Sequence, residues 1–202
     1  ATCFVQDGHP AFKQAKTVYS YDAARAKSLL SEAGVTSLSL LCTNHGWFSS
    51  ARPIIKENLE ALGVSVAYDE RKSADAYQLI DGSQGPWDVL IAPGDPSVFG
   101  NDADLLMRWW YGTDLWTETR MHWKGSESYT AIQALLDEAV RLEGEAQVAK
   151  WQEIFDKLSE DVPLYPIFHR KTPTAYDSQT LSGFKPIALT GLSFVDVGST
   201  TA

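Results

Sequence analysis

Cysteine is nearly absent from this chain: there are two, Cys3 and Cys42, in 202 residues. Two thiols in so long a chain do not make a disulfide scaffold. Cys42 sits inside an apolar strand pattern and reads as a buried, inert thiol; a Cys3–Cys42 bridge stays open as the alternative, and the count says nothing of the compartment. Long hydrophobic runs are missing too. The longest, around Leu38–Cys42 and Val89–Pro93, fall far short of the roughly 20 residues a helix needs to cross a bilayer. The chain starts at Ala1 without the basic and then apolar pattern of a signal peptide. It is therefore expected to be a mature secreted protein or a piece of a longer one. Positive charge is in deficit, with 17 Lys and Arg against 26 Asp and Glu and a net charge of −9. No Lys/Arg stripe overrides that balance, so a polyanion is repelled and nucleic acid is not expected as a partner.

Catalytic signatures are also lacking. The sequence holds no G-x-S-x-G elbow, no H-E-x-x-H, no P-loop and no G-x-G-x-x-G. The four histidines, His9, His45, His122 and His169, are scattered. A triad can assemble in space whatever its order in sequence, but nothing in the pattern points to one. No catalytic residue, no metal site and no cofactor is expected.

What is present is the material of a soluble α/β domain. The chain is 44% hydrophobic and 21% charged, ordinary for a globular fold, and its length suits one large domain or two small ones. Residues 1–20 read as an irregular connector. Asp22 is placed to cap a helix carrying Ala26, Leu29, Leu30 and Ala33 at helical spacing, with Gly34 to end it. Leu38–Thr43 reads as a strand. A helix over roughly Ser50–Leu62 follows, with Ile55, Leu59 and Leu62 on one face and Gly63 as its stop. The remaining pieces of this half are a strand at Val64–Asp69, a short helix through Ala74, Tyr77 and Ile80 ending at Gly82, and a strand at Trp87–Ala92. Short apolar strands joined by helices predict a mostly parallel open sheet with helices on both faces. The second half predicts more helix. One runs from a cap at Asn101 through Trp110, a second carries Ile132, Leu135, Leu136 and Ala139, and a third carries Trp151, Phe155 and Leu158 and ends near Pro163. Strand-like pieces follow at Leu164–Arg170 and Pro173–Asp177, then a Gly/Pro-punctuated tail over Ser182–Gly198 with an apolar run at Leu192–Val195.

Several of these segments fall in a recognisable series. Tyr21-Asp22-Ala23-Ala24-Arg25-Ala26-Lys27-Ser28-Leu29-Leu30-Ser31-Glu32-Ala33-Gly34 resembles the Y-D-P-x-x-A-x-x-L-L-x-x-A-G run of the family 5 extracytoplasmic solute-binding proteins, the oligopeptide- and dipeptide-binding components of ABC importers. In the same order follow Leu59-Glu60-Ala61-Leu62-Gly63-Val64, Trp87-Asp88-Val89-Leu90, Gly94-Asp95-Pro96 and Leu135-Leu136-Asp137-Glu138-Ala139. Trp151-Gln152-Glu153-Ile154 and Asp161-Val162-Pro163-Leu164-Tyr165-Pro166-Ile167 complete the series. The resemblance spans about Tyr21 to Phe194 and rests on joint order and spacing. It implies a periplasmic-binding-protein-like (type II) lobe with an additional helical half. Residues 1–20 are then a hinge-proximal connector, 21–194 the second lobe and 195–202 a hinge-proximal tail. It further implies a missing first lobe of the same protein, a peptide or similar small solute as ligand, an ABC permease in the membrane as partner, and a periplasmic or cell-surface lipoprotein location. Two other readings compete with it: a hydrolytic enzyme on the same scaffold, and a sensor or partner-binding module, since fold alone does not settle function.

Physics locates the ligand independently. In an open parallel sheet, ligands bind beyond the carboxyl ends of the strands, here Thr43–Phe48 and Pro93–Gly100. The candidate ligand-binding residues are Asn44, His45 and Trp47 in the first segment and Gly94 and Asp95 in the second. Amide, imidazole and indole groups can bond or stack on a solute; the alternative for the first three is an ordinary surface loop. The resemblance gives Asp95 the task of pairing with a ligand ammonium group, against the plainer reading that Asp95-Pro96 starts a turn. At the preceding position, where the family often carries Trp or another large residue, this chain has Ala92-Pro93. Trp109, Trp110, Tyr111, Trp116 and Trp123 are expected mostly in the core. Adjacent helical residues diverge by about 100°, so Trp109 and Trp110 cannot line one pocket, and Trp109 is assigned to the ligand side. His169 and Arg170 read as structural edge residues, and Asp137, Glu138 and Glu143 as a solvated face.

Overall fold

The structure is a computed structural model that describes residues 1–83, 85–94, 102–171, 173–185 and 193–200. The chain divides into two units. A sheet unit comprises Tyr19–Gly94 and Asp114–His122; a helical unit comprises Ala1–Val18, Asp95–Thr113 and Trp123–Ala202.

In the sheet unit, α1 (Ala23–Glu32) begins where the Asp22 carboxylate accepts a hydrogen bond from the Arg25 amide at 2.8 Å. It ends at Gly34, whose φ of +68° favours a residue without Cβ. None of its residues is buried, so the stripe of Ala26, Leu29, Leu30 and Ala33 forms the expected helix without entering the described core. The sheet is built on β1 (Ser37–Thr43), flanked by β2 (Ser65–Arg71) and β3 (Val89–Ile91) in the order β2-β1-β3, with both pairings parallel. α2 (Ala51–Ala61) links β1 to β2, and α3 (Ser73–Asp81) links β2 to β3.

Side chains alternate across a strand, and β1 uses both of its faces. Leu40 and Cys42 pack with Val66, Ile91 and Phe48 under Ala51, Ile55 and Leu59. Leu41 points the other way, to Ala76 and Ile80 of α3. Helices therefore cover both faces, as the β-α-β-α-β pattern requires. Burial pushes the Cys42 thiol up to about 11, so it is protonated at neutral pH. Both cysteines are free and buried, which leaves the bridge unformed. The segment Asp114–His122 adds a short π-helical stretch, Leu115–Arg120. Arg120 there stacks 4.3 Å above the Tyr77 ring and 4.4 Å from that of Trp116. It also grips Asp81 with two bonds of 2.8 and 2.9 Å, which holds that carboxyl below the usual carboxylate range.

The helical unit packs α5 (Glu127–Ala139) against both α4 (Ala103–Tyr111) and α6 (Gly144–Asp161). Ile132, Leu136 and Ala139 of α5 are buried, as are Trp151, Ile154, Phe155 and Leu158 of α6. Asp102 caps α4, accepting from the Leu105 amide at 3.0 Å; the cap expected at Asn101 lies outside the described residues. Residues 1–18 are irregular but contribute buried Cys3, Val5, Ala11 and Ala15. They are tied to α6 by Lys13–Asp156 at 3.0 Å and by the Lys16 amide to Asp156 at 2.7 Å. Asp137 pairs with Arg108 at 3.0 Å and Glu138 with Lys150 at 3.1 Å, so the acidic face is solvated and also cross-linked.

Two expected strands do not form. Leu164–Arg170 and Pro173–Asp177 belong to no sheet among the described residues. An extended segment becomes a strand only when a neighbour supplies a ladder of partners. Here the Ala1 ammonium donates to the Ile167 carbonyl at 2.6 Å and the His169 ring meets the Cys3 carbonyl at 3.0 Å, isolated links in place of a ladder. Among the described residues the strand pair of this half is β4 (Leu181–Ser182) with β5 (Gly198–Ser199), antiparallel and two residues long.

Candidate functional site

Because β1 and β3 are parallel and Cys42 stands opposite Ile91, the chain leaves both strands at the same edge of the sheet. Thr43 and Asn44 continue from β1, and Ala92–Gly94 continue from β3. β2 ends there too, with Arg71 opposite Thr43 and its carbonyl accepting the Asn44 amide at 2.8 Å. This is the rim expected from the strand order, and it gathers Asn44, His45 and Gly94.

Asn44 and Gly94 are exposed and His45 is half-buried. The His45 Nδ1 lies 3.1 Å from the Thr43 hydroxyl, which fixes the ring beside a fully buried side chain. Trp47 lies in the 3-10 turn Gly46–Phe48; its side chain is outside what the structure describes. Asp95 falls in the undescribed stretch 95–101. Trp109 belongs to the helical unit, on α4, where it is 48% exposed while Trp110 and Tyr111 are buried. The divergence expected of adjacent helical residues is therefore present, and Trp116 and Trp123 are buried as well.

Arg52 escaped the sequence reading. It is 5% exposed at the start of α2, and its guanidinium makes four hydrogen bonds. Nε and Nη2 donate to the two carboxylate oxygens of Glu70 at 3.1 and 3.0 Å. Nη1 donates to the Thr43 and His45 carbonyls at 3.2 and 3.0 Å. The Tyr68 hydroxyl adds a 2.8 Å bond to Glu70 and is pushed up to about 12 by burial and by that bond. A buried arginine is tolerated when its charge is paired and its donors find acceptors. The signal was in the sequence: residues 52, 55, 59 and 62 share one helical face, and Arg52 is the charged member of an apolar stripe.

The helical unit contains a cleft of about 390 Å3 lined in part by His9, Asp102, Asp104, Gln147 and Trp151. Its polar groups already do structural work. Asp102 caps α4, Asp104 pairs with Arg108 at 2.8 Å, and His9 Nδ1 accepts the Ala11 amide at 3.0 Å. Among the described residues no group of three or more His, Cys, Asp or Glu is placed to hold a metal ion, and no helix is long and apolar enough to cross a membrane.

No protein-family model matches the sequence, and no curated protein matches it. Solved structures do match the fold. The dipeptide-binding protein from Pseudoalteromonas sp. SM9913, in complex with Met-Leu, superposes with a TM-score of 0.72 at 17% identity, over 99% of this chain and 40% of its own. The ABC transporter substrate-binding protein CtaP from Listeria monocytogenes gives 0.68 at 16% identity, over 83% and 34%. NikA from Staphylococcus aureus, in complex with Ni(L-His)2, gives 0.63 at 16% identity, over 81% and 34%. The chain has the fold of a part of these substrate-binding proteins, and spans between a third and two-fifths of their length.

Proposed function

We propose that this chain is the second-lobe portion of an extracytoplasmic solute-binding protein of the oligopeptide/dipeptide family, non-catalytic, which captures a peptide or similar small solute for delivery to an ABC permease. On this reading 1–20 and 195–202 lie near the hinge, 21–194 form the lobe, and a first lobe of the same protein completes the clamp. The observation that carries it is the superposition along 99% of the chain on a dipeptide-binding protein at a TM-score of 0.72. The order and spacing of the sequence motifs support it independently, and so does the rim that gathers Asn44, His45 and Gly94 at the carboxyl ends of parallel strands. Asp95, next in sequence to Gly94, is the proposed partner of a ligand ammonium group; such a pair gains strength when closure excludes water.

One lobe supplies half of the enclosing surface, so desolvation and shape closure are incomplete and affinity is weak. Incubated with millimolar Met-Leu, the chain should bind it weakly and return it uncleaved, as read by mass spectrometry. Release of free methionine and leucine would replace the transport reading with the hydrolytic one. Unchanged Met-Leu affinity in Asp95→Ala would remove that residue from the site.

A further inference from the structure

We infer that Arg52 is the positioning residue of the candidate ligand loop, holding Thr43–His45 in one conformation before any solute arrives. That a solute then meets Asn44 and His45 rests on the solute-binding reading; that the loop is held does not.

The geometry converges on three consecutive residues. Arg52 Nη1 bonds the carbonyls on either side of Asn44, those of Thr43 and His45, at 3.2 and 3.0 Å. The Asn44 amide is bonded to the Arg71 carbonyl at 2.8 Å. The loop backbone is thus tied to α2 by two acceptors and to β2 by one donor. The guanidinium is aimed in turn by Glu70, which takes Nε and Nη2 in a two-point grip and is steadied by Tyr68. All five residues, Thr43, His45, Arg52, Tyr68 and Glu70, belong to the sheet unit.

Only a planar fork can serve a carboxylate on one edge and two carbonyls on another. A lysine ammonium at this place is a point charge that cannot span both sets. Bonds from a charged donor are also stronger than neutral ones, and this one sits under a 5% exposed side chain. A loop ordered in advance does not have to be ordered by the ligand, which raises affinity without adding a ligand contact. With Arg52 satisfying the carbonyls, Asn44 is the residue of this loop left exposed, between buried Thr43 and half-buried His45.

The test is amide hydrogen exchange on the whole chain, with Met-Leu affinity measured on the same samples. In Arg52→Met, exchange at Asn44–Gly46 is expected to speed up by about 10-fold or more relative to the amides of Leu40 and Leu41, because the opening becomes local. Arg52→Lys, which keeps charge and length, should fall between wild type and Arg52→Met and also serves if the methionine variant does not fold. Glu70→Gln, which leaves the guanidinium unaimed, should move in the same direction. Met-Leu affinity should fall along the same series, by about 10-fold in Arg52→Met.

Loop exchange unchanged in Arg52→Met and Arg52→Lys would overturn the inference, whatever becomes of binding. Faster exchange with unchanged affinity, in a protein where Asn44→Ala does weaken Met-Leu binding, would overturn it too. If instead exchange speeds up while Asn44→Ala and His45→Ala leave Met-Leu binding untouched, or no Met-Leu binds at all, Arg52 holds the loop and the solute-binding reading of this rim is what fails.

Discussion

Leu40→Ala is expected to destabilise the sheet unit by about 2–5 kcal/mol, the range for removing a large aliphatic side chain from a site that cannot collapse. Leu40 is 1% exposed in the central strand. It meets Val66, Phe48 and Ile91 in the cluster that Ala51, Ile55 and Leu59 of α2 close from above. The strand is paired on both sides, opposite Tyr68 on β2 and Val89 on β3, so the backbone cannot move in to fill the space. Part of the cost is lost transfer free energy and part is the cavity left behind. Urea unfolding followed by circular dichroism measures it. A change below about 1 kcal/mol would mean that β1 is not the keystone of this sheet. Val89→Ala is a useful control: it lies on a neighbouring strand but is partly exposed, and its cost should be much smaller.

Tyr111→Ala should cost the helical unit about 3–5 kcal/mol, the range for deleting a buried aromatic ring. The ring is 1% exposed. It meets Phe4 edge-on at 5.4 Å and Trp123 edge-on at 6.0 Å, contacts of the kind that add to simple burial. Its carbonyl also accepts from Gln133 at 2.6 Å, which ties α4 to α5. Removing the ring therefore loosens the N-terminal segment, α4 and the Trp123 turn together. Trp109→Ala, two positions earlier on the same helix and half-exposed, should stay within about 1 kcal/mol. Equal losses at the two positions would contradict the division of this aromatic stretch into a buried face and an outer one.

Much of the sheet unit could be read from the sequence because its signals are local and agree. Asp22 caps, Gly34, Gly63 and Gly82 stop, and apolar residues repeat with the period of a helix or a strand. Parallel order then follows from the alternation of elements. What stayed hidden depends on partners far away in sequence. The spacing of Ala26, Leu29 and Leu30 gives a helix but does not say what covers it, and in the structure none of α1 is buried. Leu164–Arg170 has strand composition but finds no ladder among the described residues. Residues 1–18 look like loose connector, yet Val5 and Ala11 are buried because α6 and its Asp156 hold the segment down.

The candidate site was legible in the same partial way. Parallel strand order located the rim and with it Asn44, His45 and Gly94. The residue that shapes the loop, Arg52, was concealed because a charged side chain on a helix normally reads as solvated. Its burial becomes intelligible only when Glu70, far along the chain on β2, is brought beneath it. Adjacent helical positions diverge, and Trp109 is accordingly on the outer face of α4 while Trp110 and Tyr111 are buried.

Whether a peptide meets the carboxyl rim of the sheet is decided by an amide NMR titration of the chain with Met-Leu at millimolar concentration. A peptide held at the strand ends should give rapidly averaging shifts confined to the carboxyl rim, at Asn44–Gly46 and Ala92–Gly94 and in the residues that follow, with Ser37 and Ser65 at the opposite end of the strands unmoved. Shifts centred on that opposite end, or no shift anywhere at saturating peptide, would contradict it.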